Sequence, residues 1–207
     1  MQARLALGLT PRDIAVGAVG MIEPRKGQRY LIEAMELLRD SGAVGSAATV
    51  GAGVRCFIAG AGASAESLAA EIRIQAMEQS IRMMGMIDDS RELLWALDIF
   101  AMPSIQEGLG VAALEAMACG LPLIASATGG LLDSVQNEIT GIHVPVGDAS
   151  ALAKAIARLA ANSDLRSRMG TAGRDRVAAD FAMSSMAHGT LALYRKCLQN
   201  RAQGRRT

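Results

Sequence analysis

Aromatic residues make up only 3% of this 207-residue chain, which also has just two histidines and three cysteines. The cysteines (Cys56, Cys119 and Cys197) stand apart in apolar or helical settings with no C-x-x-C spacing. That argues against a disulfide framework or a zinc site and predicts buried thiols in a reducing compartment. No apolar run is long enough to span a bilayer, and the amino-terminus lacks the apolar core of a signal peptide, so a cytoplasmic protein is expected. Neither sign of charge dominates: 21 Lys and Arg against 20 Asp and Glu leave a net charge of +1. With no basic field, no nucleic-acid partner is expected. The basic stretch 201–207 reads as a frayed, solvated tail. No internal repeat is present.

What the chain has in quantity is small apolar residues. Hydrophobic residues are 51% of the total, with 22 glycines, and alanine and methionine are common. Small side chains of this kind suit close packing of helices on a sheet. The length fits one large domain spanning 1–207. Residues 1–12 read as a residual linker with a first helical piece at Arg4 to Leu7.

Apolar runs of strand length alternate with helical periodicity six times. Strands are predicted at Ile14–Val19, Val54–Ala59, Ile81–Met84, Ile99–Met102, Leu123–Ala125 and Gly141–Pro145. Helices are predicted at Gln28–Arg39, Ser64–Glu78 (capped by Ser64), Arg91–Leu97, Val111–Cys119, Leu131–Val135, Ser150–Ala161, Asp164–Ala179 and Phe181–Asn200. Asp40 to Gly53, rich in Gly, Ala and Ser, reads as a surface loop. The expected fold class is α/β: a doubly wound, Rossmann-like parallel sheet of six strands with further helices at the carboxyl end. Gly60-Ala-Gly62 after the second strand lacks the third glycine and the acidic ribose partner of a dinucleotide fingerprint; a close strand–helix turn explains it. Asp88 and Asp89 suit the capping of the helix that follows. His143 reads as a half-buried strand residue.

The most informative stretch runs from Pro103 to Gly130, PSIQEGLGVAALEAMACGLPLIASATGG. Its helix is apolar at every position except Glu115, and such a helix is enclosed by protein. A carboxylate there must be paired, hydrogen-bonded or facing a wet cavity. Glycines 108 and 110 let backbone approach a ligand, and the first amides of the helix have no internal acceptors. The positive end of the helix suits phosphate or the oxygens of a polyol. Glu107 and Glu115 can reach one cleft and accept hydrogen bonds from sugar hydroxyls. Equally, Glu107 can complement the helix dipole and Glu115 can pair with a basic residue in the core.

Two glutamates separated by seven residues, set in PSxxEGxG…LEAMAxGxPxxAS…GG, resemble the donor-binding signature of retaining glycosyltransferases of the GT-B type, family 4 or "group 1". The likeness resumes at VG-x-hydrophobic-x-P-x-KG, at the turn Gly85 to Asp89 and at the G-x-x-V-P strand. It implies that this chain is the donor-binding half of a two-domain enzyme active in polysaccharide biosynthesis, with the amino-terminal acceptor domain absent. Any peripheral membrane contact is expected only through that domain. The implied donor is a UDP-, GDP- or ADP-sugar, with no cofactor and no metal. Glu107 is the implied catalytic residue. Gly20, Lys26, Ile87, Gly108, Leu109, Gly110, Val111 and Glu115 are the implied donor contacts. The family carries an arginine where Met21 stands, and Arg25 is the candidate to compensate at the phosphates. The other reading kept in view is a non-catalytic nucleotide-binding or assembly module that partners a separate acceptor domain. A GT-B-like epimerase or phosphorylase fits poorly, since His143 and His188 are the only histidines.

Overall fold

The computed structural model describes residues 2–41 and 53–202. Most of the predicted Asp40–Gly53 loop and the end of the 201–207 tail therefore lie outside the described residues. Six strands, β1 (Ile14–Val19), β2 (Val54–Ala59), β3 (Ile81–Gly85), β4 (Ile99–Met102), β5 (Leu123–Ser126) and β6 (Gly141–Val144), form one parallel sheet in the order β3-β2-β1-β4-β5-β6. This is the doubly wound order expected of alternating apolar strands and helices. Side chains of a strand alternate between faces, so each strand feeds two cores. Val16, Cys56, Ile58, Ile99 and Ala101 join a core with α2 (Gln28–Asp40), α3 (Ala65–Ile74) and α7 (Ala149–Ala160). Ala15, Phe57, Phe100, Leu123 and Ala125 join a second with α4 (Ser90–Ala96), α5 (Val111–Ala118) and α6 (Leu131–Ser134). The short α1 (Gln2–Ala6) precedes the sheet; α8 (Ser163–Asp180) and α9 (Met183–Ala202) follow it.

Capping chemistry sets several boundaries. Asp89, Asp148 and Asn162 each accept a backbone N–H of the helix they open, α4, α7 and α8 in turn. Ser64 does not cap α3. Its backbone is already in the right-handed helical region, and a capping side chain needs an extended one. That helix ends at Ile74 rather than Glu78. Ala76 takes a left-handed conformation (φ 52°), and the amides of Ala76 and Met77 close on Arg73 and Ile72. Burial of Met77 in the core draws the chain out of the helix at that point.

Two expectations about burial are overturned. Cys56 alone of the three thiols is buried, and burial pushes its pKa up to about 12; Cys119 is half-buried and Cys197 exposed. The helix α5 is not enclosed all round. Ala113, Ala116 and Met117 face the core, whereas Val111, Glu115 and Ala118 form an exposed stripe at helical spacing. The apolar character of this helix comes from alanine and valine that cover nothing on that side. Glu115 is therefore a surface carboxylate, not a buried one.

At the amino ends of β1 and β2, Asp13 accepts the amides of Thr10 and Gly53. Burial alone would raise its pKa; these hydrogen bonds, the Thr10 hydroxyl and nearby Arg55 outweigh that and hold the carboxyl below its ordinary value. A depressed pKa stabilises the fold above the unfolded-state value and loses that stabilisation as pH falls through the folded-state value. Asp13→Asn is therefore expected to flatten the loss of unfolding free energy as pH falls below about 4, the ordinary range of an aspartate. Denaturant titrations of both proteins at each pH check this.

Candidate active site at the switch point of the sheet

In a parallel sheet all carboxyl ends share one rim. The helix after β1 (α2) packs on one face and the helix after β4 (α5) on the other, so the loops leaving these adjacent strands diverge and open a crevice. Lys26 ends the loop after β1, in a 3-10 turn at Pro24–Lys26, and Glu107 lies in the loop after β4. Their side chains meet across the crevice: Lys26 Nζ donates to Glu107 Oε2 at 2.7 Å. The pair is largely withdrawn from solvent, with the lysine side chain 17% and the glutamate side chain 8% exposed. The hydroxyl of Ser104, itself 1% exposed, donates to the same oxygen at 3.1 Å. The amide of Gly108 donates to Oε1 at 3.2 Å.

Glycines hold the loops this close. A Cβ on Gly27 (φ 67°) would lie 2.0 Å from the Pro103 carbonyl oxygen, and one on Gly129 (φ 49°) 2.0 Å from that of Glu107. The amides of Ile105 and Gln106 donate to the Arg25 carbonyl, and the Thr128 hydroxyl donates to that of Ile105. Three loops, after β1, β4 and β5, thus interlock around Glu107. Gly108, Leu109 and Gly110 carry the chain into α5. Gly110 opens that helix in a left-handed conformation with no side-chain cap, so the first amides, starting at Val111, face the loop without a capping acceptor. Val111 is 62% exposed, and Glu115 stands one turn further along the same stripe.

Gly20 and Ile87 share the wall of a second feature, a cavity of about 350 Å³ at the carboxyl ends of β1, β2 and β3 that Val19, Ala59 and Met86 also line. Gly60 and Gly62 are explained by packing: a Cβ on either would strike the carbonyl oxygen of Gly20 or Ile22. Met21 is 56% exposed, its carbonyl held by the buried amide of Gln28. Arg25 pairs with Glu23 at 2.6 Å, so its guanidinium is already committed to a carboxylate. His143 sits half-buried on edge strand β6, as its sequence context indicates. Ser104, Thr128 and Gln28 have no assigned role in the sequence reading. For Ser104 the signal was available: a serine three residues before a loop carboxylate is in reach of a local side-chain hydrogen bond. Among the described residues no group of three or more His, Cys, Asp or Glu side chains is placed to hold a metal ion.

A parallel sheet of this order, with helices on both faces, is a Rossmann-like domain. Comparison with known proteins is more specific. The model of the glycosyl transferases group 1 family matches residues 4–176. The chain is 31% identical over 204 residues to alpha-maltose-1-phosphate synthase of Mycobacterium tuberculosis, covering 92% of this chain and 50% of that protein. Sucrose-phosphate synthase from Thermosynechococcus elongatus superposes with a TM-score of 0.83 at 31% identity, covering 96% of this chain and 49% of that one. Anabaena HepE, solved in complex with UDP-glucose, has a TM-score of 0.83 at 21% identity, covering 94% and 52%, a likeness of fold alone. The chain belongs to the group 1 glycosyltransferase family and has the fold of one GT-B half. It spans about half the length of the curated relatives it matches.

Gly129→Ala should displace the Glu107 loop and cost about 2 kcal/mol or more, from a left-handed alanine and a backbone clash. Gly108→Ala, whose Cβ would meet nothing within 4 Å, should be close to neutral. Chemical denaturation of the two variants beside the parent measures both.

Proposed function

We propose that this chain is the nucleotide-diphosphate-sugar-binding half of a retaining glycosyltransferase that transfers a hexose-type sugar to a glycan or lipid-linked acceptor. The observation that carries the reading is the meeting of Lys26 and Glu107 at the switch point, in a chain of this family. The donor lies along the strand ends, its base against Ile87 and Gly20 and its diphosphate over Lys26 and the first amides of α5. As the bond from the anomeric carbon to phosphate oxygen breaks, Lys26 and the helix start stabilise charge growing on the departing diphosphate. Glu107 holds sugar hydroxyls and stabilises the cationic carbon; Glu115, on the exposed stripe of α5, holds the ribose. The acceptor oxygen bonds to that carbon and its proton passes to the leaving phosphate, with anomeric configuration retained.

HepE, a protein of like fold, was crystallised with UDP-glucose, a ligand of the class proposed here. Support for a partner domain comes from the length of the relatives and from α9. On that helix Met183, Met186, Leu191, Leu193, Tyr194 and Leu198 are all exposed and fall on one side, an apolar stripe with nothing over it among the described residues. The acceptor domain would complete the enzyme in the cytoplasm. One feature favours the second reading, a non-catalytic assembly module: Met21, in the position of the family's arginine, offers neither charge nor donor to a phosphate.

The isolated chain is expected to bind a nucleoside diphosphate weakly and to transfer no sugar. Calorimetric titration with UDP, GDP and ADP tests this; absence of heat with all three, from folded protein, would refute donor binding. Met21→Arg should tighten diphosphate binding by about tenfold, the worth of one charge-assisted hydrogen bond. Unchanged affinity would show that this loop does not face the phosphates.

A further inference from the structure

We infer that the Lys26–Glu107 pair makes this site discriminate between a nucleotide-sugar and the bare nucleoside diphosphate, and that Ser104 is the positioning residue that makes the discrimination workable. The inference rests on the donor-site reading above. The cation needed at the diphosphate is not free: Lys26 Nζ is 2.7 Å from Glu107 Oε2. A diphosphate that recruits Lys26 must draw it away from a carboxylate whose side chain is only 8% exposed. The stranded carboxylate then keeps two donors, the Ser104 hydroxyl and the Gly108 amide. Removing one partner of a withdrawn ion pair is costly because the other charge is left uncompensated.

A donor that carries a sugar supplies what has been removed. Its hydroxyls donate to the carboxylate that Lys26 vacates, so the exchange is hydrogen bond for hydrogen bond. A bare nucleoside diphosphate recruits Lys26 and gives Glu107 nothing. The ion pair therefore penalises the sugar-free diphosphate, which is also the product that must leave after transfer. Ser104 is buried at 1% exposure and shares the same oxygen as Lys26, so it holds the carboxylate in place while its partner changes.

The test uses the full chain and four variants, each titrated with UDP, GDP and ADP and with UDP-glucose, GDP-mannose and ADP-glucose. Glu107→Gln should bind the bare diphosphate about tenfold more tightly than the parent, because Lys26 is released. Its affinity for the matching nucleotide-sugar should rise by less, narrowing the ratio between the two ligands. Ser104→Ala should shift bare-diphosphate affinity the other way, weakening it several-fold, since the vacated carboxylate loses a donor. General damage to the loop would move both variants in the same direction. Lys26→Met should lose affinity for the bare diphosphate, and combining it with Glu107→Gln should erase the gain. Binding by the parent with no gain in Glu107→Gln overturns this inference and leaves the donor-site reading standing. No binding by any of the folded proteins overturns both.

Discussion

An ammonium in the loop after β1 and a carboxylate in the loop after β4 share one hydrogen bond, and it ties together the two loops that border the crevice. Lys26 and Glu107 are 81 residues apart in sequence, brought together because β1 and β4 are neighbours in the sheet while their helices leave to opposite faces. Without its partner, either group would be a charge largely withdrawn from water and lacking its counter-charge, and for Glu107 only the Ser104 hydroxyl and the Gly108 amide would remain. Each loop thus requires the other in place. The crevice they bridge is set by topology, and the pair places one cation and one anion at its centre.

Small residues make such an approach feasible. The scarcity of aromatics finds its counterpart in backbone-to-backbone packing: Gly27 against Pro103, Gly129 against Glu107, Gly130 against Gly108. The same device grips α5 from behind. Gly170 of α8 lies where a Cβ would fall 2.0 Å from the Gly120 carbonyl oxygen, Gly173 packs on Met117, and Arg174 donates to the carbonyl of Cys119 at the end of the helix. The carboxyl end of α5 is thereby fixed while its amino end faces the crevice. On the proposed reading such rigidity serves the start of α5, since preorganised donors cost nothing to orient at the moment charge appears.

Much of this was legible in the sequence, and what was not failed for physical reasons. The strands at 14–19 and 99–102 read directly from uninterrupted apolar runs, and the one at 54–59 from a run broken only by Arg55, because a strand buried on both faces has little polar alternation to obscure it. Lys26, Glu107 and the glycines around them were found by motif, and their meeting at one rim followed from topology. Burial was harder. An alanine-rich helix looks enclosed whichever way it faces, so the exposure of Glu115 was hidden until α5 had a position. The early end of α3 turned on the burial of Met77, a tertiary contact that outweighed good local helix formers. Ser64 had the right chemistry for a cap and the wrong backbone. That Lys26 is already occupied by Glu107 could not be read from spacing, since it depends on the side-chain geometry of two loops far apart in the chain.

On the proposed reading a nucleoside diphosphate lies across the ends of β1 and β4. A crystal structure of the chain grown with UDP, GDP or ADP is the decisive experiment. Expected are phosphate density between Lys26 and the first amides of α5, the base beside Ile87, and Lys26 drawn away from Glu107. Density instead in the cavity between α2 and α3, beside Tyr30, Ser64 and Glu71, with the Lys26–Glu107 pair intact, would contradict it.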